Sequence, residues 1–522
     1  MENTSKYCNK LKLNKTKNAT KGIVAGLLNR VITLLLPFIV RTILINKIGI
    51  EYAGLNSLFT SILQVLNIAE LGFSSAIVYS MYKPIAERDD TTICALLGFY
   101  RQIYRIIGII ILIVGLITLP FLPNFINGTP PSDINIHIIY LLFLLNTCVS
   151  YLLYGYKTAL LNAYQRIDVI SHISSIVTLL FNLAQIVVLL IFANFYLYAS
   201  LIPMLTIVQN LVTSYTVDKM FPEYHCYGKL DSKIRHDIWK KVAGLMIQKI
   251  CGVSRNAFAS IFISTFIGLS IVGIYNNYYM IFAALTGIMG IIPAAMVSGI
   301  GNEVQNSSVD ENYRTLQRFN CLFMWLSTIS SVCLFSLYQP FMELWMGKER
   351  MFDYSTVVLL VIYYYLLRMG DIRSIWVDAV GLYWEIRWRA VLEVILNLSL
   401  NYIFIKLWGI NGLITGSLIS LFLINFIYSS SITFKYYFGY KRLVPYYLTQ
   451  IYHLLVMGGV CIICYYVFIT VESLFNLTNL WIILAERLLL SVIISNIILF
   501  LSFHRTTDYR LALSWIKLKI RR

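Results

Sequence analysis

The most constraining feature of this sequence is a series of long apolar stretches, roughly fourteen of them, each about 18 residues or more and able to cross a bilayer as a helix. Of the 522 residues, 58% are hydrophobic and only 13% are charged. A barrel strand needs only about ten alternating residues, and a helix satisfies its own backbone hydrogen bonds in lipid. The sequence therefore predicts an all-α polytopic membrane protein and excludes a soluble multidomain protein.

The predicted spans run through almost the whole chain. The first is too long for the core of a signal peptide, and no small-residue cleavage site precedes it, so we expect it to remain in the protein. The predicted spans are 22–45, 54–81, 93–121, 136–156, 172–192, 196–217, 242–267, 271–297, 319–338, 355–376, 390–407, 410–434, 447–468 and 480–502.

Lysine and arginine collect on one side of this predicted topology. The basic segments are 1–21, 219–241 and 504–522. The opposite loops around 123–133, 193–195 and 268–270 contain neither residue. The exceptions on that side are Lys47, Lys348, Arg350 and Lys406. Because short cytoplasmic loops carry an excess of Lys and Arg, we expect both termini to be cytoplasmic.

This distribution also explains most of the formal net charge of +17. The excess lies next to the membrane, where anionic lipid headgroups attract basic residues. Membrane lipids are therefore expected partners, and nucleic acid is not needed to explain the charge.

The motifs of several enzyme classes are absent from the sequence. It contains no G-x-x-x-x-G-K-[ST] loop for nucleotide hydrolysis. The predicted outer loops are too short to hold the acid and base groups of a polymerase or glycosyltransferase. Cys461 and Cys464 form a C-x-x-C in an apolar helix without His or acidic neighbours, which does not favour a metal site. We expect neither an enzyme nor a metal protein.

An internal repeat links the two halves of the chain. Residues 48–54 and 267–273 both read I-G-[IL]-x-x-x-G, and Gly268 follows Gly49 by 268 − 49 = 219 residues. Six predicted spans separate the copies, so both face the same side of the membrane and the repeat is parallel. Parallel repeats occur in transporters that hold substrate between the halves.

The repeat predicts a domain organisation of two six-helix bundles followed by an extra helix pair. The predicted segments are a basic N-terminus 1–21, an N-terminal bundle 22–218, a cytoplasmic linker 219–241, a C-terminal bundle 242–434, a helix pair 447–503 and a basic tail 504–522.

Polar residues form stripes on the first helix of each half. Arg30, Thr33, Pro37 and Arg41 follow helical spacing, and a shift of 219 carries them onto Lys249, Gly252, Asn256 and Ser260. The second span has a similar stripe of Asn56, Thr60, Gln64, Asn67 and Ser74. Such stripes are too polar to face lipid, so they predict a cavity.

The charges of this predicted cavity favour an anionic ligand. Arg30, Lys249 and Arg255 are cations within the spans, and such a cluster suits a phosphate or diphosphate because charge-assisted hydrogen bonds offset desolvation. We expect Arg41, Asn256 and Gln64 to contribute to the same site. A second interpretation stays open for Arg30, in which it forms a purely structural ion pair with Glu70.

The combined motifs resemble a known family. The motifs that carry the resemblance are Pro37 to Gly49, Gly54-Leu55-Asn56, Glu70-Leu71-Gly72, Ala76, Tyr82-Lys83-Pro84, Gly268 to Tyr279, Glu393 to Leu400, Gly409 to Gly412 and Thr415-Gly416. They are similar to the bacterial polysaccharide and O-antigen flippases of the multidrug/oligosaccharidyl-lipid/polysaccharide exporter superfamily.

The resemblance implies a transporter of the bacterial cytoplasmic (inner) membrane that moves undecaprenyl-diphosphate-linked oligosaccharide to the outer leaflet by alternating access. It implies roles in O-antigen, lipopolysaccharide or capsule biosynthesis, with other polysaccharide-assembly membrane proteins as candidate partners. No cofactor is implied, protons or sodium are candidate coupling ions, and Glu70 is the candidate coupling acid. The extra helix pair also occurs in peptidoglycan-precursor flippases of the superfamily, so the glycan class stays open.

Two alternatives to this function remain. An ion-coupled multidrug antiporter of the same superfamily would be expected to have acids and aromatic residues for cationic drugs, whereas the predicted cavity is cationic. A membrane glycan polymerase would need catalytic groups in its outer loops.

Overall fold

The computed structural model describes residues 32–33, 35–70 and 72–520, with the side chains of 69, 243–245, 247–249, 251, 254, 256 and 518–520 left out. The described residues form helices joined by turns and loops, and none of them lies in a β-strand, as the sequence predicts. Arg30 lies outside the described residues, and Lys249 and Asn256 are described by their backbone only.

The chain forms two compact units, the first ending at Gly273 and the second beginning at Ile274. The helices of the first unit alternate with short turns. They are α1 (35–47), α2 (Ile50–Leu66), α3 (Phe73–Glu87), α4 (Asp90–Thr118), α5 (Ile136–Leu152), α6 (Thr158–Ala163), α7 (Ile167–Ile191), α8 (Phe195–Met220) and α9 (Ser232–Phe266).

The second unit contains most of the next helix and all that follow. They are α10 (Leu269–Met289), α11 (Ile291–Asn306), α12 (Val309–Met346), α13 (Tyr354–Met369), α14 (Asp371–Val380), α15 (Arg387–Ser420), α16 (Ser429–Thr433), α17 (Leu443–Leu474), α18 (Leu480–Phe503) and α19 (Thr507–Ile520). Wider π-helical turns at Leu421–Tyr428 and Phe434–Phe438 flank α16.

The helix boundaries confirm the parallel repeat. α2 begins at Ile50 and α10 at Leu269, an offset of 269 − 50 = 219 residues. α4 begins at Asp90 and α12 at Val309, again 309 − 90 = 219. The side chains of Asp89 and Ser308 cap these two helices by accepting hydrogen bonds from backbone N–H groups. From α2 to α4 and from α10 to α12 the chain therefore contains no net insertion.

The number of spans differs from the sequence prediction. In the part of the chain that the structure describes, nine helices are long and apolar enough to cross a membrane, or ten if a bent pair at 136–163 counts as one span. The exact number of fourteen is not confirmed. One of the nine, Arg387–Phe438, includes a reversal at Trp408 and Gly409, where the backbone leaves helical geometry.

The second predicted span, 54–81, is wrong as a single helix. The α-helix ends at Leu66, a 3₁₀ turn covers Asn67–Glu70, and α3 begins at Phe73. Gly72 has a φ of 107°, which only glycine adopts readily, so the chain changes direction at this point. The break places Glu70 at the junction of two half-helices.

The segment predicted as a cytoplasmic linker, 219–241, is helical at both ends. α8 continues to Met220, and α9 begins at Ser232 because the Asp231 side chain accepts a hydrogen bond from the backbone N–H of Lys233. The first unit also includes α9, which packs along α2. The basic tail predicted at 504–522 contains α19.

α15 consists of two antiparallel helices joined by a tight turn. A Cβ at Gly412 would lie 1.9 Å from the carbonyl oxygen of Phe404, so only glycine allows this approach. The buried side chains of Asn397, Asn401 and Ser417 hydrogen-bond to one another at 3.1–3.2 Å. Asn397, which lies in the Glu393 to Leu400 motif of the sequence, therefore helps to stabilise the pairing of these helices.

The extra helix pair, α17 and α18, is fixed to α12 by polar contacts. Ser491 donates a hydrogen bond to Ser336 at 2.9 Å, and Gln450 donates to Asn320 at 2.7 Å. Arg487 binds Glu472 at 2.6 Å and so joins α18 to α17. In an apolar environment such contacts determine which helices pack together.

Candidate functional site

The two copies of the glycine motif contact each other in the first unit. Gly49 and Gly268 have φ angles of 139° and 141°, so both turns have the same backbone conformation. A Cβ at Gly54 would lie 2.2 Å from the carbonyl oxygen of Leu269. A Cβ at Gly273 would lie 2.6 Å from the carbonyl oxygen of Ile50. Because 269 − 50 and 273 − 54 both equal 219, the contact is reciprocal, as expected for a local two-fold relation.

Polar groups connect the same two turns. Ser270 donates a hydrogen bond to Glu51 at 3.3 Å, and these residues are themselves 219 apart. Arg41 donates to the carbonyl oxygen of Gly273 at 3.1 Å and to Ser57 at 3.4 Å. The structure thus places Arg41, predicted to bind substrate, beside the turns, where its guanidinium binds protein groups.

The loop between α4 and α5 stabilises this contact through hydrogen bonds. Asn127 donates through its backbone N–H to the carbonyl oxygen of Ser264 at 2.9 Å and through its side chain to that of Phe266 at 3.0 Å. These are terminal carbonyls of α9, which lack partners within the helix. The Tyr52 hydroxyl donates to Asp133 in the same loop. The Asn127 side chain also donates to the carbonyl oxygen of Ile267 at 3.4 Å, so one loop contacts both copies of the repeat.

The polar stripe of α2 lies on its open face. Thr60 and Gln64 are exposed, whereas Leu55, Leu58 and Phe59 on the other face are fully buried. On α9, Gly252 is exposed, and a Cβ there would meet no atom within 4 Å; Arg255 is half-buried on the same helix. Two of the predicted site residues, Gln64 and Arg255, therefore lie on helices that pack together, α2 and α9. Gln64 lies on the exposed face of α2.

Glu70 lies in a separate polar cavity of about 250 Å³ inside the first unit. The Tyr104 hydroxyl donates to one carboxylate oxygen at 2.9 Å, and the Tyr151 hydroxyl donates to the other at 3.3 Å. Tyr100 donates in turn to Tyr104 at 2.7 Å. The Asn210 side chain also lines the cavity. Two phenol donors fit the ionised form of a carboxylate, because that form only accepts hydrogen bonds.

Sequence reasoning identified Glu70 but missed its partners. Tyr104 and Tyr151 stand on α4 and α5, and the chain spacing between them carries no periodic signal. The sequence could have indicated these contacts only through the chemistry of the side chains, because a hydroxyl or carboxyl group within an apolar span requires a polar partner.

A groove in the second unit was also missed. It has a volume of about 610 Å³ and lies between α12, α13 and α17. Its lining is apolar or aromatic and includes Phe335, Val358, Met457, Cys461 and Tyr465. Sequence reasoning assigned these side chains only to spans, because a groove depends on how three distant helices pack.

Comparison with known proteins agrees with this architecture. Residues 19–298, more than half of the chain, match the family model described as "Polysaccharide biosynthesis protein". No curated protein sequence matches the chain.

Solved structures with the same fold include a lipid II flippase. The protein resembles lipid II flippase MurJ in an inward closed conformation, with a TM-score of 0.66, 13% identity, and coverage of 92% of this chain and 98% of that one. It resembles an inward-facing MATE multidrug resistance transporter of the MOP superfamily with a TM-score of 0.56, 15% identity, and coverage of 78% and 94%.

A third structure with this fold is the Vibrio cholerae MATE transporter VcmN, with a TM-score of 0.53, 14% identity, and coverage of 80% of this chain and 97% of that one. At these identities the likeness concerns the fold. Together with the family match and the apolar helices, it identifies the chain as a multi-pass membrane protein with the fold of MOP-superfamily transporters that belongs to the polysaccharide biosynthesis protein family.

Proposed function

We propose that the protein flips an undecaprenyl-diphosphate-linked oligosaccharide from the inner to the outer leaflet by alternating access. The observation that carries the proposal is the exposure of the Gln64 amide on a helix within an apolar part of the chain. The exposed Thr60 hydroxyl one turn earlier already donates to the carbonyl oxygen of Asn56 at 2.7 Å and adds little. Polar side chains at membrane depth face water or a polar ligand, because contact with lipid leaves their hydrogen-bonding groups unsatisfied. The match to a polysaccharide biosynthesis family supports a glycan as that ligand.

The cationic residues of the predicted site fit the diphosphate. Arg255 is half-buried on α9, and its guanidinium offers the fork of donors that binds phosphate oxygens. Arg30 and Lys249 are proposed to complete this site with Asn256 and Gln64, and Arg41 is proposed to act at its edge from the paired turns. Sugars then occupy the polar part of the cavity through amide and hydroxyl hydrogen bonds.

The apolar groove of the second unit fits the lipid part of such a substrate. Its lining of Phe335, Val358, Met457 and Cys461 offers no charged group. A polyprenyl chain gains about 0.8 kcal/mol for each CH₂ group that it removes from water, but little when it leaves lipid. The groove therefore serves to guide the tail rather than to hold it tightly.

Alternating access requires contacts that form in one state and break in another. The reciprocal contact of the two turns is suited to this task, since Glu51 and Ser270 join equivalent positions of the repeat through one hydrogen bond. We propose that this contact closes the outer side, and that it separates when substrate leaves. Glu70 is the proposed coupling acid.

The proposal places the protein in the bacterial inner membrane with both termini in the cytoplasm. It assigns the protein to O-antigen, lipopolysaccharide or capsule biosynthesis, with other assembly proteins of the membrane as partners. No catalytic step is proposed.

The test is translocation of a fluorescent lipid-diphosphate oligosaccharide in proteoliposomes, read by a sugar-cleaving enzyme added outside. We expect protein-dependent cleavage of the inner-leaflet fraction. Arg255→Gln should lower its rate by at least about tenfold, since a charge-assisted hydrogen bond contributes about 1.5–3 kcal/mol. The matched control is Lys229→Gln in the loop 221–231, which removes the same charge and should retain wild-type rates. Uptake of organic cations without glycan translocation would instead favour a multidrug antiporter.

A further inference from the structure

The first of the two antiparallel helices in α15, residues 387–407, is called the first arm. Its polar side chains are buried and its large apolar side chains are exposed. The buried positions recur every three or four residues and are Ala390, Glu393, Asn397, Asn401 and Ile405. The exposed apolar positions include Val391, Leu392, Ile395 and Ile403. Polar residues of a membrane span point into the protein, so the exposed face of the first arm is suited to lipid acyl chains.

Exposed tryptophans lie at both ends of the first arm. Trp384 and Trp388, which are 71% and 55% exposed, lie at its beginning, and Trp408, which is 59% exposed, follows its last residue. Trp408 follows Trp388 by 408 − 388 = 20 residues, which corresponds to about 30 Å of helix. The hydrocarbon core of a typical bilayer has the same thickness. Because indole rings concentrate at the boundary between lipid and water, the two ends match the two boundaries of a bilayer.

A basic side chain packs on an aromatic ring at each end. The Cζ of Arg387 lies 4.0 Å from the centroid of the Trp384 ring, and its guanidinium donates a hydrogen bond to the Trp384 carbonyl oxygen at 2.6 Å. The Nζ of Lys406 lies 4.0 Å from the centroid of the Tyr402 ring and donates to its hydroxyl at 2.6 Å. Long basic side chains near the ends of a span place their charge at the interface. Each end therefore combines the two kinds of residue that fix the depth of a span.

The turn that precedes the first arm is packed through other residues. Leu382 and Ile386 are buried together with Val377, and the partly buried Tyr437 packs against this cluster. Trp384 lies between the two buried residues in the chain and stays exposed. Packing within the second unit therefore does not account for the large apolar ring of Trp384, and a surface outside this unit is needed to cover it.

We propose that the first arm lies against lipid and that aromatic and basic residues anchor its two ends at the two membrane interfaces. The anchors are Trp384, Arg387 and Trp388 at one end and Tyr402, Lys406 and Trp408 at the other. The partner is the bilayer itself, and the anchoring depends on depth rather than on the charge of the lipid headgroups. In the predicted topology the first end lies at the cytoplasmic interface. This inference does not depend on the transported substrate.

The proposal makes the first arm a separate span. The apolar helix that is long enough to cross a membrane, Arg387–Phe438, contains the reversal at Gly409. The chain therefore crosses the bilayer once before this reversal and returns after it.

The test is quenching of tryptophan fluorescence in proteoliposomes by phosphatidylcholines that carry bromine at defined acyl carbons. The protein has nine tryptophans, so the contribution of each end is measured as the difference between wild type and a variant. Trp384→Phe combined with Trp388→Phe removes the first end, and Trp408→Phe removes the second. Rings at an interface lie about 15 Å from the bilayer centre, so bromine near the glycerol backbone should quench both contributions at least about twofold more than bromine near the chain terminus.

Ile395→Trp, added to the variant that lacks Trp384 and Trp388, is the matched control. Ile395 is exposed on the same arm and follows Trp388 by 395 − 388 = 7 residues, which places it about 10 Å further into the bilayer. Its added fluorescence should show the opposite order, with the strongest quenching by bromine near the chain terminus.

Strongest quenching of either end by deep bromine would overturn the proposal, because the first arm would then not span the bilayer. Quenching of the first end by aqueous iodide, without quenching by any brominated lipid, would place the turn in water and would overturn it as well. If the variant that lacks Trp384 and Trp388 does not fold, Trp408→Phe and Ile395→Trp in the otherwise unchanged protein provide the second test. Shallow quenching at position 408 and deep quenching at position 395 would then support the proposal, and the reverse order would overturn it.

Discussion

Replacement of Gly54 by alanine tests the proposed closure of the paired turns. The added Cβ would lie 2.2 Å from the carbonyl oxygen of Leu269 and 2.9 Å from its carbonyl carbon, whereas ordinary contacts begin near 3.4 Å. The turns must therefore separate by about 1 Å, and overpacking of this kind costs about 1–3 kcal/mol. If the turns separate in the open state, only the closed state is destabilised by this amount. The ratio of the two states should shift by about 5- to 150-fold toward the open one.

The assay is labelling of Gln64→Cys in proteoliposomes by a membrane-impermeant maleimide added on the outer side. Gln64 is exposed on α2, so the added thiol reports access to the predicted cavity. In the parent protein the paired turns should restrict labelling from outside. Gly54→Ala should raise the initial rate at least about fivefold, the lower limit of the shift in states. The background without Gln64→Cys corrects for the native cysteines.

Gly252→Ala is the matched control, because a Cβ at Gly252 meets no atom within 4 Å. It should leave the labelling rate unchanged. Glu51→Ala provides a milder change, since it removes the hydrogen bond from Ser270 without adding bulk and should have a smaller effect of the same sign. A folded Gly54→Ala protein that labels at the parent rate would refute the assignment of the turns to a state-dependent closure.

Three further predictions concern a carboxylate, a cap and a buried amide. Glu70→Gln should remove a step from the pH profile of translocation, because Tyr104 would then donate to a neutral amide; an unchanged profile would rule out coupling at this residue. Hydrogen bonds from Thr91 and Thr92 lower the pKa of Asp89 to about 2 from 3.8, so its stabilising effect is complete above about pH 4 and is lost as pH falls through about 2; the stability advantage over Asp89→Asn, followed by acid unfolding, should shrink over that range. Asn401→Leu should lower the free energy of unfolding by about 1–3 kcal/mol, since Asn397 and Ser417 lose a partner, and a melting temperature equal to wild type would contradict this.

The repeat could be recognised in the sequence because the geometry of each turn requires glycine at particular positions. Glycine at positions 49 and 268 is required by a positive φ, and glycine at 54 and 273 by close approach of the other turn. Both requirements therefore place glycine at the same spacing in the two copies. That the two copies contact each other could not be read from the pattern, since packing of distant segments has no periodic signal in one sequence.

The broken helices were harder to predict than the spans. Hydropathy averages over about 19 residues, so it does not register a 3₁₀ turn at Asn67–Glu70 inside an apolar stretch. Arg41 shows the same limit for the site. Helical spacing predicts that Arg41 shares one helix face with Thr33 and Pro37, but whether its guanidinium reaches substrate or the carbonyl of Gly273 depends on a contact 232 residues away.

The most direct test of the proposed function is the initial rate at which a lipid-linked glycan is translocated in proteoliposomes made with wild-type protein. We expect the inner-leaflet fraction of a fluorescent undecaprenyl-diphosphate oligosaccharide to become open to external sugar cleavage, at a rate proportional to the amount of protein. Protein-free vesicles should retain that fraction. Equal retention with and without correctly folded protein, across several oligosaccharides and with an imposed proton or sodium gradient, would contradict the proposed function.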